Sequence, residues 1–330
     1  MTSKLRLGVI GAGAMGASHA RTLATSVPGA TVTHVFDMDA ARAACIAQEV
    51  GGEPAASPEA LIAAVDAFVI ASPDGTHADL AIAGIERGTY VLCEKPLAVT
   101  AGEARRVVDA EIAAGRRFVQ VGFNRRFDPG FASLKGSISD GTLGTVRLLH
   151  GIHRNAANLT STDSSTLVTG SMIHEFDTFR WLLDDEIVAI RVESPVHDGF
   201  KDPQVATLWM ADGQMITAEV FCNADYGYDV RVEVVGTGGS AMLEPRAPVV
   251  RRIAGQVGSA VGSDFVDHFI ESYRIELSTW ANASARGEVV GASAWDGFVA
   301  NLVAGAGVTA LGSGRREPVD VPDRPELYGG

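Results

Sequence analysis

The tripeptide Glu94-Lys95-Pro96 places an ammonium group directly after Tyr90–Cys93, a short apolar run that predicts a strand. Pro96 prevents the chain from continuing directly as a helix. In an open α/β sheet, ligands bind at the carboxyl ends of the strands. A lysine at that edge can hydrogen-bond a substrate hydroxyl and stabilise the oxyanion that forms when its proton leaves. We therefore expect Lys95 to be catalytic; the alternative is a lysine in a surface loop.

A second set of reactive side chains lies on a helix predicted from residue 172 to residue 183. His174, Asp177 and Trp181 share one face of this helix, and we expect that face to line a cleft. A carboxylate near an imidazole raises the imidazole pKa toward the range useful for a general base. His174 is therefore a candidate base; the alternative is a packed histidine beside a solvated aspartate. Four apolar residues form a stripe on the opposite, core-facing side: Met172, Phe176, Phe179 and Leu183.

The start of the chain has the spacing of a nucleotide-binding turn. The apolar run Leu5–Ile10 predicts a strand, and a helical pattern begins near residue 14. The G-x-G-x-x-G pattern between them permits a tight turn, a close approach of backbone to a pyrophosphate, and close packing of helix on strand. The predicted pyrophosphate site comprises Gly11, Ala12, Gly13, Ala14, Met15 and Gly16.

Asp37 follows a second predicted strand, residues 32–36, and lies about 20 residues after Gly16, the spacing of an acidic residue that binds ribose hydroxyls. A carboxylate there would repel a 2′-phosphate, so the pattern favours NAD over NADP. Arg42 argues for NADP instead, because its side chain could reach a phosphate. The alternative interpretation of Asp37 is a turn or cap residue.

Two further loops are expected to line the same cofactor site. The strand predicted at residues 67–71 leads into a turn that contains Ser72, Thr76 and His77. In a doubly wound sheet such a loop lies beside the cofactor; a helix cap that begins at Thr76 is a compatible alternative. Glu94 and Lys95, at the end of the next strand, are expected to contribute to the cofactor site as well.

Strands and helices alternate over roughly the first 120 residues, which predicts a parallel sheet. Later strands follow one another directly, with a hairpin signal at Asp212-Gly213. We predict an α/β Rossmann domain, a doubly wound parallel sheet, over residues 1–123. An α+β domain with a large, mostly antiparallel open sheet is predicted over residues 124–330. The later strands are predicted at 145–153, 187–193, 205–210, 214–222 and 230–236, and two closing helices at 265–282 and 294–311.

Composition agrees with two domains and excludes several classes of partner. A chain of 330 residues is long for a single core. The net charge of −13 argues against nucleic acid and anionic membranes as partners, and no apolar run approaches a membrane span. The three cysteines and eight histidines lack the spacing of a disulfide framework or a metal site. We expect a cytoplasmic protein that acts on a small molecule and holds no metal.

The chain resembles the glucose–fructose oxidoreductase/inositol dehydrogenase/rhizopine catabolism family over nearly its whole length, and its later segments are most similar to the myo-inositol 2-dehydrogenase branch. The segments that show the resemblance are Gly11-x-Gly13-x-x-Gly16, Glu94-Lys95-Pro96, residues 124–130, His153-Arg154-Asn155 and His174-Glu175-Phe176-Asp177. The resemblance implies NAD-dependent oxidation of a secondary hydroxyl of a cyclic polyol or sugar. It implies catalytic Lys95 and His174, and polyol contacts from Arg125, His153 and Asp177. It also implies a homo-oligomer, a tetramer or a dimer, formed through the open face of the sheet.

Two positions depart from the inositol dehydrogenase branch. That branch usually has an aspartate four residues before the catalytic histidine, but here the residue is Gly170. Position 170 falls on the helical face of His174, so the missing carboxylate would act at the site. A natural substitution predicts a different substrate or weak activity, and an engineered one predicts a deliberately disabled enzyme. Asn124, at a predicted substrate-binding position, stands where the branch often has methionine, which predicts altered substrate contacts.

Two alternatives come from other functional classes. In the first, the protein keeps NAD tightly bound and cycles it during hydrolysis, elimination or transfer between two sugars, without net oxidation. In the second, it is a non-enzymatic protein that binds NAD and responds to it, for which Gly170 is the argument. A nicotinamide spectrum in the purified protein would indicate the first, and NAD binding without turnover of any polyol the second.

Overall fold

The computed structural model describes residues 4–157, 163–243 and 249–329, and the chain divides into two compact units. The first unit combines the chain up to Phe127 with Glu271–Asn301 and the segment from Pro322 onward. The second unit comprises Asp128–Ile270 and Leu302–Val321. The sequence predicted two consecutive domains divided after residue 123, whereas the first unit also takes up two segments from near the end of the chain.

Strands and helices alternate up to Phe127, as the sequence predicts. The strands are β1 (Leu5–Ile10), β2 (Ala30–Phe36), β3 (Glu53–Pro54), β4 (Ala67–Ile70), β5 (Tyr90–Cys93) and β6 (Val119–Val121). The helices are α1 (Ala14–Ser26), α2 (Ala40–Val50), α3 (Pro58–Ala64), α4 (His77–Arg87) and α5 (Ala101–Ala114).

Strands dominate the middle of the chain. The helices are α6 (Pro129–Ser139), α7 (Ile173–Leu183), α8 (Phe265–His268), α9 (Ile270–Ala285) and α10 (Ala294–Ser313). The strands are β7 (Val146–Arg154), β8 (Ile187–Glu193), β9 (Gln204–Met210), β10 (Met215–Phe221), β11 (Asp229–Gly236), β12 (Ser240–Leu243), β13 (Val250–Ile253), β14 (Gln256–Ser259), β15 (Ala292–Ser293) and β16 (Glu317–Pro318). β7 to β11 match the predicted strands to within one residue at each end. β12 to β16 were not predicted, and the predicted helix at 265–282 is two helices, α8 and α9.

The sheet of the first unit has the strand order β15-β6-β5-β4-β1-β2-β3. β1 to β6 pair in parallel, and β15 pairs antiparallel to β6. β4 is buried along its whole length, as expected of a central strand covered on both faces. The chain order reverses between β1 and β4, so their carboxyl ends form the crevice where doubly wound sheets bind ligands. The predicted Rossmann architecture is confirmed.

The end of the chain is bound into the first unit through Glu111 on α5. This buried carboxylate accepts the hydroxyl of Tyr328 at 2.6 Å and the backbone N–H groups of Phe118 and Val119 at 2.5 and 2.7 Å. Burial raises the pKa of Glu111, and the three hydrogen bonds oppose that shift without cancelling it. The C-terminal segment is therefore part of the structure of the first unit.

The sheet of the second unit has the strand order β12-β11-β7-β10-β9-β8-β16. β7 and β10 are parallel, and the other pairs are antiparallel, which confirms the mostly antiparallel sheet. α7 covers one face: a Cβ on Gly151 of β7 would lie 2.6 Å from the ring of Phe179. Met172, Phe176 and Phe179 are fully buried, as the apolar stripe predicts, whereas Leu183 is partly exposed.

The predicted hairpin is present between β9 and β10. These strands pair antiparallel, and Gly213 in the turn has φ +89, a conformation that favours glycine. The Asp212-Gly213 signal therefore identified the turn correctly.

α10 is a described helix that is long and apolar enough to be compared with a membrane span. Its 20 residues include a window with a mean hydropathy of 1.2, enough by length and composition alone to cross a membrane. However, 67% of that window is buried inside the structure, as in the core helix of a folded domain. The polar residues Asp296 and Asn301 interrupt its apolar sequence.

Candidate active site

The glycine loop of the first unit is tight at both ends and open in the middle. Gly11 has φ +93, and a Cβ there would lie 2.5 Å from the carbonyl group of Ala71. A side chain on Gly16 would overlap the Gly11 carbonyl. By contrast, no atom of the described residues lies within 4 Å of a Cβ on Gly13. The loop therefore presents open backbone at Gly13, which is what close approach of a phosphate requires.

α1 begins directly after this loop and offers N–H groups to an anion. Its N-cap residue, Gly13, has no side chain to bond the first-turn N–H groups, so these remain available to a ligand. Ala12 is buried, Ala14 is exposed and Met15 is partly exposed along the same loop. The residues present thus fit a pyrophosphate.

Asp37 binds the glycine loop from the end of β2. One carboxylate oxygen accepts the N–H of Ala12 at 2.7 Å, and the other accepts the N–H of Asp39 at 2.8 Å. The guanidinium of Arg42 lies 3.6 Å from the Asp37 carboxylate and 3.3 Å from that of Asp39. Two carboxylates to one guanidinium leave net negative charge at the end of β2, which opposes binding of a 2′-phosphate. These contacts agree with the interpretation of Asp37 as a turn residue, and its contact with ribose hydroxyls stays a prediction.

The loop after β4 places two hydroxyls at the carboxyl edge of the sheet. The hydroxyls of Ser72 and Thr76 lie 2.6 Å apart. Thr76 is exposed and Ser72 partly exposed, but Thr76 makes no cap bond to α4. His77 is only 1% exposed, and its two ring nitrogens contact the backbone carbonyls of Ser72 and Pro96. His77 therefore acts on this loop through backbone, and a direct contact with a cofactor stays a prediction for Ser72 and Thr76.

Glu94 and Lys95 leave β5 at the same edge. The Glu94 carboxylate lies 2.6 Å from Nε2 of His19 on α1 and accepts the Lys95 N–H at 3.2 Å. Burial raises the pKa of Glu94, but His19 and Lys95 outweigh burial and lower the pKa below its ordinary value. Lys95 itself is partly exposed. The contribution of His19 was missed, because a single histidine on a helix gives no sequence signal.

Asn124 and Arg125 follow β6 in a short 3₁₀ turn, Asn124–Phe127. Both are buried, at 1% and 2% exposure. The Asn124 amide donates to the hydroxyl of Ser272 on α9 at 3.0 Å. Asn124 thus has a structural partner within the first unit, and its predicted contact with a substrate stays a prediction.

β7 and α7 bring two histidines together in the second unit. His153 on β7 is buried, and its Nδ1 lies 3.3 Å from a carboxylate oxygen of Glu175. The ring of His153 is edge-on to those of His174, at 6.2 Å between centroids, and Tyr228, at 5.9 Å. His174 is partly exposed. Glu175 and Tyr228 were not predicted as site residues, although Glu175 lies inside the His174–Asp177 segment.

The rest of the predicted cleft face of α7 is only partly as expected. Asp177 is 1% exposed, so the alternative of a solvated aspartate is excluded. The expectation that Trp181 faces the cleft is wrong, because Trp181 packs against α6. Its carbonyl accepts the ammonium of Lys135 at 2.6 Å, and that ammonium also lies 5.7 Å from the centre of the Trp181 ring.

A π-helical turn, Leu167–Ser171, leads into α7 just before His174. The N–H of Met172 bonds the carbonyl of Leu167 at 2.8 Å, and such turns often occur at functional sites. Among the described residues, no atom lies within 4 Å of a Cβ on Gly170, within this turn. The first atom of a side chain at position 170 would therefore meet none of these residues.

Two family models match consecutive parts of this chain. Residues 5–123 match the oxidoreductase family with an NAD-binding Rossmann fold, GFO/IDH/MocA, and residues 131–242 match the GFO/IDH/MocA C-terminal domain. The first match ends at the loop after β6, and the second covers β7 to β11 together with α7. Every predicted catalytic and cofactor residue lies within one of the two matches.

Relatives match the chain over almost its full length. Inositol 2-dehydrogenase 1 of Saccharopolyspora erythraea is 45% identical over 98% of this chain and 99% of its own. An inositol 2-dehydrogenase of Klebsiella pneumoniae is 41% identical over the same shares. The crystal structure of myo-inositol dehydrogenase from Lactobacillus casei, in complex with NAD(H) and myo-inositol, has a TM-score of 0.94 and 31% identity, and covers 98% of this chain and 99% of its own.

Proposed function

Because the chain belongs to the GFO/IDH/MocA family of oxidoreductases, we propose that it oxidises a secondary hydroxyl of a cyclic polyol with NAD+, as an inositol 2-dehydrogenase. The substrate that we propose is myo-inositol, and the product is the 2-keto-inositol. One observation supports this most strongly: inositol 2-dehydrogenases match 98% of the chain, from the glycine loop through Lys95 to His174. The matched region therefore includes both the predicted cofactor-binding residues and the predicted catalytic residues.

The first unit would hold the cofactor. The open backbone at Gly13 and the N–H groups of α1 would bind the pyrophosphate, and Asp37 would bind the ribose hydroxyls. Glu94, Ser72 and Thr76 would complete the site at the ends of β5 and β4. When bound, NAD+ supplies the hydride acceptor. The net negative charge around Arg42 supports NAD over NADP.

The protein's own residues would handle the proton. The imidazole of His174 would accept the proton of the reacting hydroxyl, and the ammonium of Lys95 would stabilise the alkoxide that results. Arg125, His153 and Asp177 would bind the other hydroxyls of the ring, with Asn124 at the edge of that set. The Glu175 carboxylate would fix the orientation of the His153 ring through its contact with Nδ1.

Gly170 would determine how fast this reaction runs. The branch of the family with an aspartate at this position has a carboxylate beside its catalytic base, whereas here position 170 has no side chain, and a Cβ there would contact none of the described residues. A base without that carboxylate loses electrostatic stabilisation of its protonated form. We therefore propose weak activity on myo-inositol or preference for a related polyol.

The test is NADH formation by the purified protein with NAD+ and a panel of inositols and sugars. Gly170→Asp is measured beside it, with Gly170→Asn as the control of equal size and no charge. Activity of the unaltered protein supports the proposal directly. Activity of Gly170→Asp alone supports a dehydrogenase with weakened chemistry. If all three proteins bind NADH and none oxidises any compound of the panel, the proposed function is wrong.

We also propose a cytoplasmic homo-oligomer, a dimer or a tetramer, formed through the face of the second sheet opposite α7. That face carries apolar side chains that are about two-fifths exposed, such as Leu148, Val205 and Met215. Leu148 and Met215 are register partners on β7 and β10, so their side chains form one continuous patch. Apolar patches of this kind mark protein interfaces. The free cysteines Cys45, Cys93 and Cys222 support a reducing compartment.

A further inference from the structure

His77 connects two loops of the first unit with a single buried ring. It is the first residue of α4 and is 1% exposed. Its Nδ1 lies 2.7 Å from the carbonyl oxygen of Pro96, and its Nε2 lies 2.8 Å from the carbonyl oxygen of Ser72. Both contacts are with backbone acceptors, so both require the ring to donate.

A neutral imidazole cannot make both hydrogen bonds. It has one N–H group and one nitrogen lone pair, whereas a carbonyl oxygen only accepts. In the neutral ring, the nitrogen without a hydrogen would therefore face a carbonyl oxygen at less than 3 Å, with a lone pair on each atom pointing at the other. An imidazolium has two N–H groups and satisfies both carbonyls. Burial lowers the pKa of His77, but the side chain of Cys93 and the two carbonyls outweigh burial and raise the pKa to about 10.

The two carbonyls belong to the loops that leave neighbouring strands. The Ser72 loop follows β4 and the Pro96 loop follows β5, and these strands are parallel with Ile70 opposite Cys93. The last bond of their ladder joins the Glu94 N–H to the Ile70 carbonyl at 2.9 Å. Beyond that point, the ring of His77 spans the two loops.

We propose that His77 is a positioning residue: a doubly donating imidazolium that holds the Ser72 and Pro96 loops at a fixed separation around bound NAD. Holding the Ser72 carbonyl would also hold the hydroxyls of Ser72 and Thr76 in place, because these two hydroxyls are hydrogen-bonded to each other. Pro96 directly follows Lys95 in the chain. By holding the Pro96 carbonyl, the His77 ring would therefore also position the backbone that carries the Lys95 ammonium. The part that concerns Lys95 rests on the proposed function, and the part that concerns NAD does not.

The charge state can be measured on the unaltered protein. Neutron diffraction at neutral pH locates the deuterons on the ring nitrogens directly. Deuterons on both Nδ1 and Nε2 of His77 are the expected result. A ring with one bare nitrogen overturns the proposal, whatever any variant does.

The positioning role is tested with His77→Gln. A glutamine amide carries both of its N–H donors on one nitrogen, so it cannot donate from the two separate positions that Nδ1 and Nε2 of His77 occupy. We expect the Kd for NADH, measured by fluorescence titration without any polyol, to rise at least about tenfold, the equivalent of 1.4 kcal/mol. His34→Gln is the matched control: it removes a partly buried histidine from β2 of the same unit, and NADH affinity should be unchanged.

The readouts separate positioning from a purely structural contribution. If His77→Gln lowers the unfolding midpoint but binds NADH with unchanged affinity, the residue is structural and the proposal is wrong. Weaker NADH binding with a retained cooperative unfolding transition supports it. Because NADH binding is measured without substrate, failure of every polyol in the activity panel would overturn the proposed function and leave this result standing.

Discussion

Replacing Gly13 with alanine separates the folding of the glycine loop from its binding of a cofactor. A Cβ on Gly13 meets no atom within 4 Å, and the backbone at φ −66 and ψ −166 suits alanine. Alanine restricts the unfolded chain more than glycine does, which stabilises the folded protein, but alanine is a poorer N-cap residue, which destabilises it. We therefore expect the free energy of unfolding to change by less than about 0.5 kcal/mol. The methyl group would instead occupy the surface that a pyrophosphate approaches, and the Kd for NADH should rise at least about tenfold.

The assay pairs a urea unfolding midpoint of the cofactor-free protein with a fluorescence titration of NADH. Gly136→Ala is the control, because this glycine of α6 also has nothing within 4 Å of its Cβ. It should stabilise the protein by roughly 1 kcal/mol and leave NADH affinity unchanged. Gly16→Ala should lower both the midpoint and the affinity, since its side chain would overlap the Gly11 carbonyl. Unchanged NADH affinity in Gly13→Ala would show that this loop does not hold the pyrophosphate.

Three further predictions follow from other parts of the molecule. Lys95→Ala should lower kcat for polyol oxidation by at least about 10²-fold, the effect of losing a positioned electrostatic group, and near-normal turnover in steady-state assays would contradict its role. Because the folded pKa of Glu111 is raised, its contribution to stability is present below the ordinary glutamate range and is lost as the pH rises through the folded pKa. The urea midpoint of Glu111→Gln should therefore gain on that of the unaltered protein as the pH rises above the ordinary glutamate range, and parallel curves would refute the shift. Met215→Lys should convert the proposed oligomer to a smaller species in light scattering, whereas Ile112→Lys, on exposed α5 surface, should not; an unchanged mass for Met215→Lys would exclude this face.

The parts of the fold that could be predicted are those whose signal is local. The glycine spacing, the apolar run of β4 and the Asp212-Gly213 turn each express their structure within a few residues. Two of the strands that were missed, β15 and β16, have no such signal. β15 and β16 have two residues each, and their pairing depends on where the rest of the chain brings them.

The parts of the candidate site that could not be predicted are its supporting contacts. His19 and Glu94 are 75 positions apart, and Asn124 and Ser272 are 148 apart. Neither pair alters the periodicity of its own helix or strand, so nothing in the sequence connects them. Trp181 failed for a related reason: α7 is buried on nearly all sides, and a helical wheel cannot distinguish a cleft from a neighbouring helix.

The bond between Tyr328 and Glu111 has a consequence for biosynthesis. A growing polypeptide leaves the ribosome N-terminus first, yet Glu111 of the first unit is hydrogen-bonded to Tyr328, which lies 217 positions later in the chain. At roughly 5–20 residues per second, the nucleotide-binding half would wait on the order of ten seconds or more after emerging.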